Sequence, residues 1–392
     1  MPETTRVRLA RARFALRAAA AADFVPEIRS VLARHPGAAP VVVFAPSVEW
    51  DIPLFQRPQH LADALSRCGA LVFYVEPEHS IRPVGVEAQG ERLYVANVPV
   101  EAFGFLGRPI VFTLCWNRHR LQAFGSPRIV YDHIDALEVF PFPQEKLRAD
   151  HAALLESAEL VLATARSLHE EVRATRPDSL YCPNGVDYDH FAAPRSRADV
   201  TPPRELLPIL SLGRPIAGYY GALADWFDYD LIRGVARVCP GWSFVLIGPD
   251  HDGSLPSSRL LAEDNVVWLG PRPYAELPRY LRFFDVAAIP FRLNRITHAT
   301  SPLKLFEYMA AGRPVVATPM REIAAYDGVL AAEDVDGFAA CLGEALSLGA
   351  DPAYRARLDR VARENTWRAR VELILAGLER PVLRSPPHRP AV

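Results

Sequence analysis

The chain has 392 residues, half of them hydrophobic and 23% charged, with a formal net charge of −2. That length predicts two domains of roughly 150–200 residues each, and the near-neutral balance excludes a global basic field of the kind that holds nucleic acid. Five cysteines (Cys68, Cys115, Cys182, Cys239, Cys341) stand far apart without a CxxC pair, which argues against a zinc site or a disulfide framework and for reduced thiols in a cytoplasmic protein.

Residues 1–38 form a basic extension of predicted helix, with seven arginines against Glu3, Asp23 and Glu27. Arg17 interrupts the apolar stretch that a signal peptide needs, so export is not expected. On a helical wheel Arg6, Arg13 and Arg17 cluster, while Arg8 and Arg11 fall on another side. Two readings stay open: a solvated helical extension, or a peripheral foot on an anionic membrane at the inner face. No run approaches the ~20 apolar residues of a membrane span.

From residue 39 onward short, fully apolar runs recur: 41–45, 71–75, 110–114, 129–132 and 160–164, then 216–221, 244–248, 266–270, 286–291, 314–318 and 328–332. They do not alternate apolar with polar residues, which is how strands buried on both faces read. Helical patterns lie between them, at 58–67, 145–157, 165–174, 228–237, 275–283, 302–311 and 335–347. This βα alternation, occurring twice, predicts an α/β protein of two doubly wound domains with parallel sheets. The expected division is 39–192 for the N-terminal domain, a Pro- and Arg-rich linker at 193–213, 214–367 for the C-terminal domain, and a C-terminal helix with a disordered tail at 368–392.

Several familiar motifs fail. No GxGxxG follows a strand, GRPIAGYY (213–220) lacks the Lys of a P-loop, HEEVR (169–173) lacks the second His of a zinc helix, and no GxSxG is present. Asp-x-Asp occurs at 187–189, 228–230, 250–252 and 334–336; at 228–230 it reads as a helix cap rather than a metal site.

One stretch stands apart: SPLKLFEYMAAGRPVVAT, residues 301–318. Ser301 suits a helix cap and Pro302 a first helical position. Lys304 then lies in the first turn, where a cation opposes the helix dipole at a cost of about 0.3–1 kcal/mol unless an anion sits beside it. Glu307 projects from the same face. Either the lysine holds a diphosphate and the acid a ribose, or the two form an ordinary surface ion pair worth ~0.2–0.5 kcal/mol.

This stretch resembles the nucleotide-sugar motif of family 4 glycosyltransferases, which have the GT-B fold of two Rossmann-like domains facing across a cleft. YCPNGVDYDHF (181–191), GYYGALADWFDYDLI (218–232) and NVVWLGPRPYAELPRYLRFFDVAAIPF (265–291) resemble further segments of that family in the same order, and FQRPQHLADAL (55–65) and YDHID (131–135) resemble the subgroup around teichuronic-acid-type transferases.

The resemblance implies transfer of a sugar from a nucleotide diphosphate sugar, with UDP preferred, to an acceptor hydroxyl, with retention of configuration. No carboxylate is obviously placed as a nucleophile, so same-face attack is expected, with Lys304, an arginine and helix-end amides stabilising the departing diphosphate, and no metal or other cofactor is expected. The resemblance also implies that Glu307 holds the ribose and that Lys304, with the backbone at Ser301, Pro302 and Leu303, holds the diphosphate. Pro271, Arg272 and Tyr274 would frame the base. The loop Gly221, Ala222 to Asp225 would approach the phosphates, and His133 and Asp135 would face the sugar.

The chain departs from the family pattern in three places. Ala299 stands where a second Glu is usual, with Thr297, His298 or Thr300 as substitutes. The usual Arg and Lys are absent from GALADWFDYD, leaving Arg292 or Arg295 to assist Lys304. APSVEWDIPLFQRPQH replaces a Gly-rich loop, with Gln56, Arg57 and His60 as acceptor-binding candidates. A carbohydrate, a lipid-linked sugar or a small molecule would all suit as acceptor. A sugar-nucleotide epimerase or hydrolase and a non-catalytic sugar-nucleotide-binding protein remain the alternatives.

Overall fold

The structure, a computed structural model, describes residues 19–52, 54–192 and 200–380. The arginines of the extension before residue 19, the first part of the expected linker (193–199) and the tail from 381 lie outside the described residues.

The chain divides into two compact units. The first comprises the described residues up to Thr164, then Leu168–Cys182 and the C-terminal residues from Val371; the second comprises Ala165–Ser167 and Pro183–Arg370. The change of unit thus comes before the Pro-rich stretch, at Cys182 and Pro183. The described part of that stretch packs into the second unit, where Leu206 and Ile209 are buried in the core.

The first unit is built on an eight-stranded sheet: β1 (Val41–Phe44), β2 (Leu71–Val75), β3 (Gly85–Ala88), β4 (Leu93–Asn97), β5 (Ile110–Thr113), β6 (Arg128–His133), β7 (Leu160–Ala163) and β8 (Leu180–Tyr181). Their spatial order is β3-β4-β2-β1-β5-β6-β7-β8. Every pairing is parallel except β3 with β4. The apolar runs predicted in this half all became strands. β3 and β4 were not anticipated: β3 (GVEA) is a partly exposed antiparallel edge whose residues show no apolar run, whereas β4 (LYVAN) is a buried strand that the reading passed over.

The second unit carries a six-stranded sheet: β9 (Ile216–Tyr220), β10 (Ser243–Ile247), β11 (Val266–Trp268), β12 (Val286–Ile289), β13 (Val315–Ala317) and β14 (Val329–Ala331). The order is β11-β10-β9-β12-β13-β14, all parallel. Central strands β9, β10 and β12 are buried along their whole length, which explains their unbroken apolar sequence. Helix Tyr229–Val238 begins as the Asp-x-Asp reading expects, with the Asp228 carboxylate accepting the Leu231 N–H at 3.0 Å. The Asp334 carboxylate likewise accepts the Gly337 N–H at the start of helix Val335–Leu348. In parallel sheets the loops beyond the carboxyl ends of the strands are free to hold ligands, and those ends carry the residues of interest in both units.

Candidate active site

In the second unit the site grows from the ends of β9 and β10. Gly221, directly after β9, has φ +138, and Gly248, directly after β10, has φ +143. Side chains rarely adopt either conformation. A Cβ on Gly248 would lie 1.9 Å from the Gly221 carbonyl oxygen, and one on Gly221 would lie 2.9 Å from Lys304 Cε. The two glycines therefore let the loops and the lysine close onto one another. Ala222 is fixed beside them by the Tyr219 hydroxyl, which donates to its carbonyl at 2.8 Å.

The helix that supplies Lys304 and Glu307 runs Leu303–Ala310. Its cap position is Pro302, and no side chain caps it. Ser301, expected to do so, instead accepts the Asn184 N–H on its Oγ at 3.1 Å, and its carbonyl accepts Asn184 Nδ2 at 2.6 Å. The cap is spent on anchoring the turn at 183–187, and the helix start is left without a side-chain acceptor. Such an end favours an anion.

Lys304 is half-buried, with Nζ 4.9 Å from the ring centre of Phe291 and 5.3 Å from that of Tyr219. Burial draws its ammonium down to about 8, and the Glu307 carboxylate opposes that shift. Glu307 is only 3% exposed, so an ordinary surface ion pair is ruled out. Its Oε2 accepts the Tyr220 hydroxyl at 2.6 Å. Burial pushes the carboxyl up to about 7, against the pull of Tyr220, Lys304 and the Tyr274 hydroxyl.

Tyr220 is the residue the sequence reading missed. It ends β9, its own N–H donates to the Tyr308 hydroxyl at 3.0 Å, and its phenol orients the acid. The signal was present as the aromatic pair just before Gly221. His190 was missed as well: its ring stacks on Tyr274 at 4.9 Å and 22°.

The other expected donor-site residues are placed less uniformly. Arg272 donates to Glu205 Oε1 at 2.8 Å and to the Tyr280 hydroxyl at 2.7 Å, while Pro271 beside it is exposed. The Tyr280 hydroxyl, with Arg272, holds the Glu205 carboxyl down to about 2. Asp225 is exposed, and its N–H donates to Asp252 Oδ2 at 2.8 Å. Arg292 and Arg295 are exposed; the former lies 4.0 Å from Asp230. Of the substitutes for the missing second Glu, Thr297 is buried and donates to the Arg292 carbonyl at 2.5 Å, and His298 Nδ1 accepts the Arg321 N–H at 3.2 Å. Ala299 itself is buried.

In the first unit, Arg57 is buried and bidentate to Asp132, with Nε to Oδ2 at 2.8 Å and a terminal nitrogen to Oδ1 at 3.0 Å. That pairing ties the helix Arg57–Arg67 to the end of β6. Gln56 is engaged locally: its N–H donates to Gln59 Oε1 and its side-chain amide to the Leu54 carbonyl. His60 is buried with its ring edge-on to Phe55 at 4.8 Å. His133 is buried, and burial beside His151 lowers it to about 3, so it is neutral. The Tyr131 hydroxyl lies 3.4 Å from His133 Nδ1 and 2.7 Å from His151 Nδ1. Asp135, two residues on, is half-buried.

Residues 214–347 match the family described as glycosyl transferases group 1. A Bacillus subtilis (strain 168) protein named for a glycosyltransferase of teichuronic acid biosynthesis, TuaH, is 29% identical over 239 residues, covering 58% of this chain and 58% of that protein. The chain thus spans somewhat more than half the length of the curated relative it matches. HepE of Anabaena, solved in complex with UDP-glucose, aligns with a TM-score of 0.62 at 18% identity, over 86% of this chain and 98% of that one. An α,α-trehalose-phosphate synthase (UDP-forming) from Burkholderia xenovorans, solved with glucose-6-phosphate, aligns with a TM-score of 0.64 at 15% identity, over 87% and 100%. The two Rossmann-like units and the resemblance carried by residues 301–318 are both borne out: the chain has the GT-B fold, and its residues 214–347 match the family of glycosyl transferases group 1.

Proposed function

We propose that the protein transfers a hexose from a nucleotide diphosphate sugar, with UDP preferred, to an acceptor hydroxyl. The observation that carries this reading is the pairing, within the matched domain, of a half-buried ammonium over Gly221 with a buried carboxylate three residues on. The diphosphate would lie at the start of helix Leu303–Ala310, against the Lys304 ammonium. Two ribose hydroxyls would donate to Glu307. UDP is favoured because HepE, of the same fold, was solved with UDP-glucose.

The transfer is proposed to retain configuration without a metal. The bond from the sugar C1 to the phosphate oxygen breaks as the bond to the acceptor oxygen forms on the same face. The acceptor's proton passes to the departing phosphate oxygen. Lys304 and the helix-end amides stabilise the charge that develops there. EDTA should leave turnover intact, and an NMR spectrum of the product should show the donor's anomeric configuration. A product of inverted configuration would remove the same-face step.

We propose a cytoplasmic protein, and the open reading of peripheral contact with the inner face of the membrane rests on the arginines before residue 19. No helix among the described residues is long and apolar enough to cross a membrane. Vesicle sedimentation with and without residues 1–18 tests the membrane contact.

The thermal-shift experiment is direct. UDP or a UDP-sugar at 100 times its dissociation constant is expected to add roughly 2.7 kcal/mol of stability, more than the GDP, dTDP or ADP counterparts at equal concentration. No shift with any of the four would remove the donor site.

Binding should also depend on pH on both sides of neutrality. Below about 7 Glu307 takes up a proton and accepts ribose hydroxyls poorly; above about 8 Lys304 loses its charge. Calorimetric titration with UDP should therefore give the tightest binding between those values. The nucleotide-free protein behaves differently. The folded state holds the Glu307 proton more tightly than the unfolded chain, whose value is 4.5, so this group's contribution to stability is lost as pH rises from there to about 7. Lys304, lowered from 10.5 to about 8, contributes a gain in stability as pH rises across that interval.

A further inference from the structure

Three neighbouring strands of the second unit end in a line of contacts. Trp268 is the last residue of β11, Gly248 follows β10 and Gly221 follows β9, and the sheet places those strands side by side in that order. The indole Nε1–H of Trp268 donates to the Gly248 carbonyl at 2.9 Å. The Gly248 N–H donates to the Gly270 carbonyl at 2.9 Å. The Cα of Gly248 rests so close to the Gly221 carbonyl that a Cβ would fall 1.9 Å from that oxygen. The Gly221 N–H is held by the same strand, donating to the Ile247 carbonyl of β10 at 2.9 Å, and Gly221 lies under the Lys304 side chain.

We propose that Trp268 is a positioning residue for the donor site, its indole N–H fixing the Gly248 peptide and, through Gly221, the seat over which Lys304 meets the diphosphate. The inference rests on the reading of Lys304 as the diphosphate's cation. Glycine peptides at positive φ have no side chain to restrain them and wide alternative conformations. Gly248 therefore needs its orientation set from outside, and a carbonyl bonded to an indole on the edge strand does that. Trp268 is itself 38% exposed, so little core packing depends on its ring.

Trp268→Phe removes the donor and keeps an aromatic ring. UDP binding to the wild type and to Trp268→Phe is measured by calorimetry, with hydrogen exchange on peptides spanning 216–226 and 243–253 of the nucleotide-free proteins. The expected result is a dissociation constant weaker by about tenfold, the scale of one oriented hydrogen bond. Exchange should be faster in both peptides, and in a turnover assay the donor KM should rise while kcat holds. Trp268→Leu, lacking both ring and N–H, should match Trp268→Phe in nucleotide affinity if the N–H is what matters. Wild-type affinity and wild-type exchange in Trp268→Phe would overturn the proposal. So would a weakening seen only in Trp268→Leu, which would assign the effect to the ring. Wild-type protein that binds no nucleotide would instead remove the donor-site reading beneath it.

Discussion

Lys304→Met is expected to lower transfer by about 10²–10³-fold, the loss seen when one preorganised donor to a developing anion is removed. At the same time the nucleotide-free variant should unfold at a higher temperature than the wild type at pH 7. The two effects share a cause. The ammonium is drawn down to about 8 by burial, since it lies near the rings of Phe291 and Tyr219 and over a glycine, partly withdrawn from water. The unfolded chain releases it from that cost. A methionine fills the same space uncharged, so the free protein gains stability and the diphosphate loses its partner, a trade expected where a site is built for a ligand. Thermal unfolding and single-turnover transfer on the same preparations separate the outcomes. If the variant lost activity and stability together, the lysine would be structural and the site reading would fail.

Asp132→Ala should cost the first unit about 3–5 kcal/mol, because it leaves the Arg57 guanidinium buried without its counter-charge. Arg57 and Asp132 are 4% and 5% exposed and share two hydrogen bonds. In a unit of this size the loss corresponds to a fall of roughly 10–15 °C in its calorimetric transition. The double variant Arg57→Met, Asp132→Leu removes both charges and should recover most of that fall, since a buried pair replaced by apolar groups of similar volume is close to neutral. An Asp132→Ala protein of unchanged stability but poorer acceptor KM would return Arg57 to the acceptor-facing role its sequence context suggested.

The sequence made the sheets legible because parallel strands buried on both faces are written as unbroken apolar runs. β9, β10 and β12 were found for that reason, and β3 was missed because an exposed antiparallel edge carries no such run. Lys304 and Glu307 were legible because a cation in a first helical turn, followed on the same face by an acid, runs against helix electrostatics. Tyr220 was harder to read: a Tyr-Tyr pair ending a hydrophobic strand looks like core until the Tyr220 hydroxyl is seen on Glu307. Ser301 and Arg57 show the opposite limit. Each is of a type that caps or binds, and each is taken by a partner far along the chain, Asn184 and Asp132. Sequence spacing cannot reveal such competition.

The first unit leaves off at Cys182 and resumes only at Val371. Within it, the end of helix Trp367–Leu378 seats Gly377 against Leu160 and Leu180, and the Leu378 carbonyl accepts Arg128 of β6 at 2.7 Å. During synthesis the second unit can therefore finish before the first. Strands β7 and β8 must wait through nearly half the translation of the chain for the segment that covers them. A nascent chain stalled between the two points would offer that apolar flank to chaperones, and ribosome profiling of chaperone engagement should peak there.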